Sequence, residues 1–189
     1  LEQVGFNNQP FGDGDLNFLT GQWGLQHVDL SWTAITDIGP LGQMQALREA
    51  HLWNDDVFDL NPLLGLPNFE GLAMNNNQFA DVHQLGQFNQ LRKLWLWGPL
   101  SADLIANIIV HNLELLQVQS DRGIDDALIS QVTGQLPHLM EFGAYNTSLS
   151  DLNAIAPLGN LVWLDISDTL VTDLSPLFGQ PNLTYLNVN

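Results

Sequence analysis

The chain contains no cysteine, which removes disulfides and zinc–thiolate sites from consideration. Basic residues are nearly as scarce: four Lys and Arg face 21 Asp and Glu, a formal net charge of −17. Nucleic-acid recognition needs a basic footprint, so DNA and RNA are excluded as partners. No apolar run approaches the roughly 18 residues of a spanning helix, which excludes membrane insertion. His83, His111 and His138 fall at loop or convex positions without ligand-like spacing, so no metal centre and no cofactor are expected. The first residue is Leu1 rather than Met, which fits removal of an upstream segment, and no signal peptide is left to read. At 189 residues the chain suits one domain with a substantial core.

Against these absences stands a leucine ladder that returns every 22 residues. Leu25, Leu47, Phe69, Leu91 and Leu113 open successive copies, and Leu139, Leu161 and Leu183 continue after one longer interval. The copies begin LQHVDL, LREAHL, FEGLAM, LRKLWL, LELLQV, LMEFGA, LVWLDI and LTYLNV. A period of this size implies stacked repeats rather than one closed globule. Counting from each opener, positions 1, 4 and 6 are apolar and alternate with variable residues, the pattern of a half-buried strand. Stacked copies then give a parallel sheet with strands about 4.8 Å apart, ladder side chains inward and positions 2, 3, 5 and 7 on the concave face.

Two further positions repeat. Position 9 holds Thr33, Asp55, Asn77, Pro99, Asp121, Thr147 and Thr169; Pro99 has no hydrogen-bonding side chain and predicts a local irregularity. Position 13 holds Asp37, Asp59, Asp81, Asp103, Asp125, Asp151 and Asp173, with Asp15 one period earlier. All but Asp125 precede an apolar residue, which reads as capping of a short helical segment. A calcium ladder is the competing reading, but one carboxylate per copy falls short of the six to eight clustered oxygens calcium takes. The fifth copy, residues 113–138, is four residues longer and predicts an amphipathic helix with Ile124, Leu128, Val132 and Leu136 on one face. SADLIANIIVHN, in the copy before it, also reads as helical.

The segments LVWLDISDTLVTDLSPLFGQPN and LQHVDLSWTAITDIGPLGQMQA carry a strand, a turn and T-D-I/L-x-P-L. They resemble the internalin-like leucine-rich repeat of bacteria, over residues 25–189. The resemblance implies an α/β solenoid with a parallel concave sheet and short 3₁₀ or helical convex segments. It also implies an inward polar side chain at position 9, satisfying backbone groups of the turn. Residues 1–24 read as a degenerate repeat serving as an N-terminal cap, with VGFNNQPFGDG loop-like where a strand would lie. The helical cap and immunoglobulin-like extension of known internalins are not visible. The chain stops on the eighth strand, which fits either a piece of a longer protein or a C-terminal edge that pairs with another chain.

The concave positions gather the residues from which function is read. They hold Trp53, Trp95, Trp97, Trp163, Tyr145 and Tyr185, with His27 and His51. Three bases (Arg48, Arg92, Lys93) meet six acids there, among them Asp29, Glu49, Glu70 and Asp165, for a net charge of −3. Most of the remaining acidity is the capping series and serves solubility. A core has no use for aromatics at these positions, whereas Trp, Tyr and Arg dominate interfaces. Gly71 and Ala73 predict a notch about two strand spacings wide between the His51–Trp53 and Trp95–Trp97 walls, bordered by Asn75, Arg48, Glu49, Arg92 and Lys93. An acidic or aromatic side chain of a partner is expected there.

Ser31, His51 and Asp29 are near neighbours, but no strained turn presents Ser31 as a nucleophile, so no catalytic residues are assigned and no enzyme is expected. The expectation is a protein-binding module of a bacterial secreted or cell-surface protein. An acidic inhibitor or immunity-type protein for a basic enzyme or toxin is the first alternative. Carbohydrate or small-molecule binding at Trp53, Trp95 and Trp97 is the second, and a spacer without a ligand the blandest.

Overall fold

The computed structural model describes residues 1–75, 82–98, 108, 112–119 and 122–189. The chain divides into two compact units, Leu1–Leu91 and Arg92–Asn189. In the first unit β1 (Gln3–Gly5), β2 (His27–Asp29), β3 (Glu49–Leu52) and β4 (Gly71–Asn75) pair in parallel and in chain order. In the second, β5 (Lys93–Trp97), β6 (Leu115–Gln119), β7 (Glu141–Tyr145), β8 (Trp163–Asp165) and β9 (Tyr185–Asn187) do the same. Strands β2 to β9 each begin at position 3 of one of the eight copies, so the leucine ladder sets the register directly. His27 faces Glu49 and Glu49 faces Gly71, one period apart, whereas Leu115 faces Glu141 across the lengthened copy.

The openers from Leu25 to Leu161 are fully buried, as are nearly all residues at positions 4 and 6. Each such side chain contributes on the order of 2 kcal/mol of apolar burial. The returns between strands are short: 3₁₀ segments at Gly39–Gln43, Val82–Gln87, Leu152–Ala154 and Ser175–Gly179, and helices at Asn61–Leu64 and Asp126–Thr133. Repeated aspartates start them. The side chains of Asp37, Asp59, Asp151 and Asp173 accept from the backbone N–H two residues on, at 2.7 to 2.9 Å. Asp125 accepts from Leu128 N at 3.0 Å and caps the helix Asp126–Thr133. Asp15 differs: it sits inside a 3₁₀ segment and reaches back to Gly12 N at 2.9 Å.

Two expectations change. The N-terminal stretch is not loop throughout, because β1 pairs with β2, Gln3 facing His27, and a 3₁₀ segment follows at Asp13–Leu19 with Leu16 and Leu19 buried. Part of its apolar content is aromatic, with Phe6 meeting Phe11 and Phe18 edge-on at 5.0 and 5.2 Å, which a leucine count misses. The fifth-copy helix is shorter than the pattern suggests. Because Asp125 caps it, Ile124 precedes the helix and Leu136 follows it, and Ile129, Val132 and Thr133 form the buried face in place of Leu128. Pro99, the inward positions Asn77 and Asp121, the capping positions Asp81 and Asp103, His111 and most of the 101–112 segment lie outside the described residues.

Candidate functional site

On the first unit, β2, β3 and β4 carry His27, Asp29, Glu49, His51 and Asn75 at positions 3, 5 and 7, with Arg48 and Glu70 just before their strands and Trp53 just after β3. Strand register places Asp29 beside His51 and Glu49 beside Gly71. The Arg48 guanidinium meets Glu70 Oε1 at 3.4 Å, and His51 Nε2 lies 2.8 Å from Glu49 Oε1. His51 and Trp53 touch edge-on, ring centroids 6.4 Å apart. Asn75 Oδ1 accepts from Asn54 N at 2.6 Å, closing the turn after β3. Ser31 Oγ accepts from Trp53 N at 3.2 Å and Asp29 Oδ1 from Ser31 N at 3.0 Å. Among the described residues no hydrogen-bond relay joins Ser31, His51 and Asp29.

The second unit carries the other half of the candidates. Trp97 and Tyr145 meet edge-on at 6.4 Å across the intervening β6, and Trp163 stacks on Tyr185 at 5.2 Å with planes 5° apart. Burial and the nearby Asp165 raise the Tyr145 pKa well above the usual phenol range. Asp165 accepts from Ser167 N and Oγ at 2.9 and 2.6 Å, and from Asn187 Nδ2 at 3.1 Å. Arg92 pairs with Glu114. Lys93 and Trp95 alternate with the buried Leu94 and Leu96 on β5.

The expected notch is altered on both counts that can be read within a unit. Small residues at Gly71 and Ala73 do not leave an open floor: the Glu49 side chain lies so close over Gly71 that a Cβ there would come 2.9 Å from its Cγ. Ala73 is fully buried. Gly143 in the second unit is covered in the same way by Gln117 and Trp163. Nor are the borders simply basic. Arg48 and Arg92 each meet a carboxylate one strand on, because position 2 alternates Arg48, Glu70, Arg92, Glu114 along the copies. The His51 wall and the Ala73 floor belong to the first unit, Trp95 and Trp97 to the second.

One residue escapes the position-by-position reading. Trp32 follows β2 at position 8 and is 55% exposed. Its φ is +62°, in the left-handed region. The equivalent turn residues are Asn54, Asn146 and Asp168, at φ +55°, +53° and +54°, and Gly98 at +103°. Asn, Asp and Gly tolerate that backbone; a bulky aromatic residue does so at a cost. Reading position 8 down the copies and noticing one Trp among Asn, Asp, Gly and Ser would have found it. In the next copy Asp55 is 2% exposed; its Oδ1 accepts from the N and Oγ1 of Thr33, the residue after Trp32, at 2.9 and 3.1 Å. Its Oδ2 has no partner among the described residues. Desolvation, with Asp29 and Asp56 adding repulsion against the Thr33 hydrogen bonds, pushes the Asp55 pKa up to about 6.

No protein-family model matches the chain, and no curated protein sequence does. Solved structures do. An internalin of Listeria monocytogenes (inlF) superposes with a TM-score of 0.62 at 21% identity, over 90% of this chain and 49% of its own. Internalin C2 of the same species gives 0.68 at 21% identity, over 99% of this chain and 80% of its own. The plant peptide hormone receptor RGFR1, solved in complex with RGF2, gives 0.52 at 17% identity, over 87% of this chain and 28% of its own. The chain thus spans about half of the first of these and just over a quarter of the last. At these identities the likeness speaks to architecture, and together with the parallel strands and the 22-residue register it identifies the leucine-rich-repeat fold of the internalin kind.

Proposed function

We propose that the chain is a protein-binding module that engages its partner through the aromatic side chains of the outward sheet face. The observation that carries this is the segregation of side-chain types. The interior is aliphatic with few aromatics, while His51 and Trp53 on the first unit, and Trp97, Tyr145, Trp163 and Tyr185 on the second, stand on the face opposite the leucine ladder. Outward aromatic residues on a regular sheet supply large contact area at small entropic cost, the property that makes Trp and Tyr dominate interface energetics. The plant peptide hormone receptor that shares this architecture was solved in complex with RGF2, which supports a binding role in general terms.

The test is a pull-down from candidate lysates with the parent chain and with a Trp53→Ala, Trp95→Ala, Trp97→Ala variant whose fold is checked by circular dichroism. A band kept by the parent and lost by the variant is the expected result. Bands indifferent to the substitutions overturn the reading. Quenching of tryptophan fluorescence by glycans, with no protein captured, replaces it with carbohydrate binding at the same side chains.

A further inference from the structure

We propose that the turn at Trp32 is the docking point for a cationic segment of a protein partner, with an arginine side chain lying on the Trp32 indole and its charge received by Asp29 and Asp56. This rests on the protein-binding reading and names the chemistry of the partner. Three observations converge on it.

The first is the residue itself. At a sequence position that elsewhere carries Asn, Asp, Gly or Ser, Trp32 keeps a left-handed backbone that disfavours it. Packing does not explain the choice. The side chain is more than half exposed, and its indole N–H has no hydrogen bond among the described residues.

The second is charge. Residues 1–91 contain eleven Asp and Glu against one Arg, and that residue, Arg48, already meets Glu70. Beside the Trp32 turn the crowding is local: Asp29 and Asp56 each repel Asp55, and Asp55 Oδ2 is buried without a partner among the described residues. Asp56 is exposed. An anionic group would be repelled here and a neutral one would leave the repulsion in place. A cation relieves it.

The third is the second aromatic residue. Trp32 N donates to Trp53 O at 2.7 Å, so the two tryptophans belong to neighbouring copies at the same end of the sheet. Indole faces with carboxylates nearby are the surroundings a guanidinium favours, since it stacks on the ring and pairs with the acid at once. A metal ion is the weaker occupant: indole does not ligate, and among the described residues no group of three His, Asp or Glu is placed to hold one.

The test is calorimetric titration of the full chain with a synthetic arginine-rich peptide and with the same peptide carrying neutral citrulline at every arginine. Trp32→Asn and Asp29→Asn are compared with Asp173→Asn, which removes one charge from the other unit. The arginine peptide is expected to bind and the citrulline peptide not. Trp32→Asn and Asp29→Asn should each weaken binding about tenfold, the scale of one cation–π or ion-pair contact that docking shields from water. Asp173→Asn should leave it nearly unchanged. Equal binding of the citrulline peptide, no binding of the arginine peptide, or equal weakening by all three variants overturns the proposal. If it is overturned while the Trp53, Trp95, Trp97 variant still loses its lysate band, the outward-face reading stands and only the cationic partner falls.

Discussion

Trp32 and Asp55 show what single side chains contribute here. Replacing Trp32 by Asn puts at position 8 the residue found at Asn54 and Asn146, whose side chain tolerates the left-handed region. Relief of backbone strain then offsets the lost half-buried ring, and the unfolding free energy should change by less than about 1 kcal/mol. Truncating a core aromatic residue costs about 3 to 5 kcal/mol. Denaturant melts of Trp32→Asn decide whether the ring belongs to the fold or to its surface. Asp55 gives a pH signature of known sign. Its folded pKa of about 6 lies above the ordinary carboxylate value of 3.8, so its ionised form is penalised in the fold. That penalty is full above about pH 6 and fades as the pH falls towards 4. Asp55→Asn, which can still accept from Thr33 N, should therefore be more stable than the parent at neutral pH, and the advantage should vanish near pH 4. An advantage constant across that range would show that Asp55 does not titrate there.

At the scale of the elements, carboxylates link one copy to the next. Asp13 accepts from Thr36 N, Asp37 N and the Thr36 hydroxyl at 2.7 to 2.9 Å, and its backbone bonds to Asp37 and Thr36 hold its pKa below the usual range. Asp126 does the same to Ser150 and Asp151 at 2.7 to 3.0 Å. Desolvation raises its pKa, but those bonds outweigh it and the net shift is downward. Asp173, bonded by the Ser175 backbone and hydroxyl, is lowered too. Groups of this kind contribute stability above the unfolded pKa of about 3.8 and lose it as pH falls through their own lower values, the opposite limb to Asp55. Asp126→Ala should cost about 1 kcal/mol, as loss of a cap does, and its deficit should shrink below pH 4. Urea melts of the variant across that range check both.

Amides add a second set of links: Asn68, Asn160 and Asn182 Nδ2 donate to the Gln45, Pro137 and Gly159 carbonyls of the preceding copy at 2.9, 3.2 and 3.1 Å. The sequence made the strands legible because burial acts along one copy, where Leu25, Val28 and Leu30 repeat on a fixed period. It made the caps legible because Asp151 and Asp173 bond within two residues. The cross-copy partners were not legible in that way. Arg48 to Glu70, Asp13 to Thr36 and Glu49 over Gly71 are each more than 20 residues apart in sequence, and emerge only when the copies are read side by side.

Over the whole molecule the charge is unevenly shared: eleven acids and one base in residues 1–91, ten acids and three bases in residues 92–189. An excess of one sign accelerates encounter with a partner of the other sign, and salt screens that attraction. Short-range contacts such as a ring under a guanidinium act instead on the lifetime of the complex. The two contributions therefore separate kinetically. For the arginine-rich peptide, the association rate should fall steeply as sodium chloride is raised, while the dissociation rate changes little. Trp32→Asn, which alters no charge, should keep the association rate and its salt slope and dissociate about tenfold faster. Asp29→Asn removes a carboxylate and should move both rates. Stopped-flow measurement of the three proteins across a salt series tests this. A Trp32→Asn variant that associates slowly but dissociates normally would place the ring in the encounter rather than in the bound contact, contrary to a guanidinium resting on the indole.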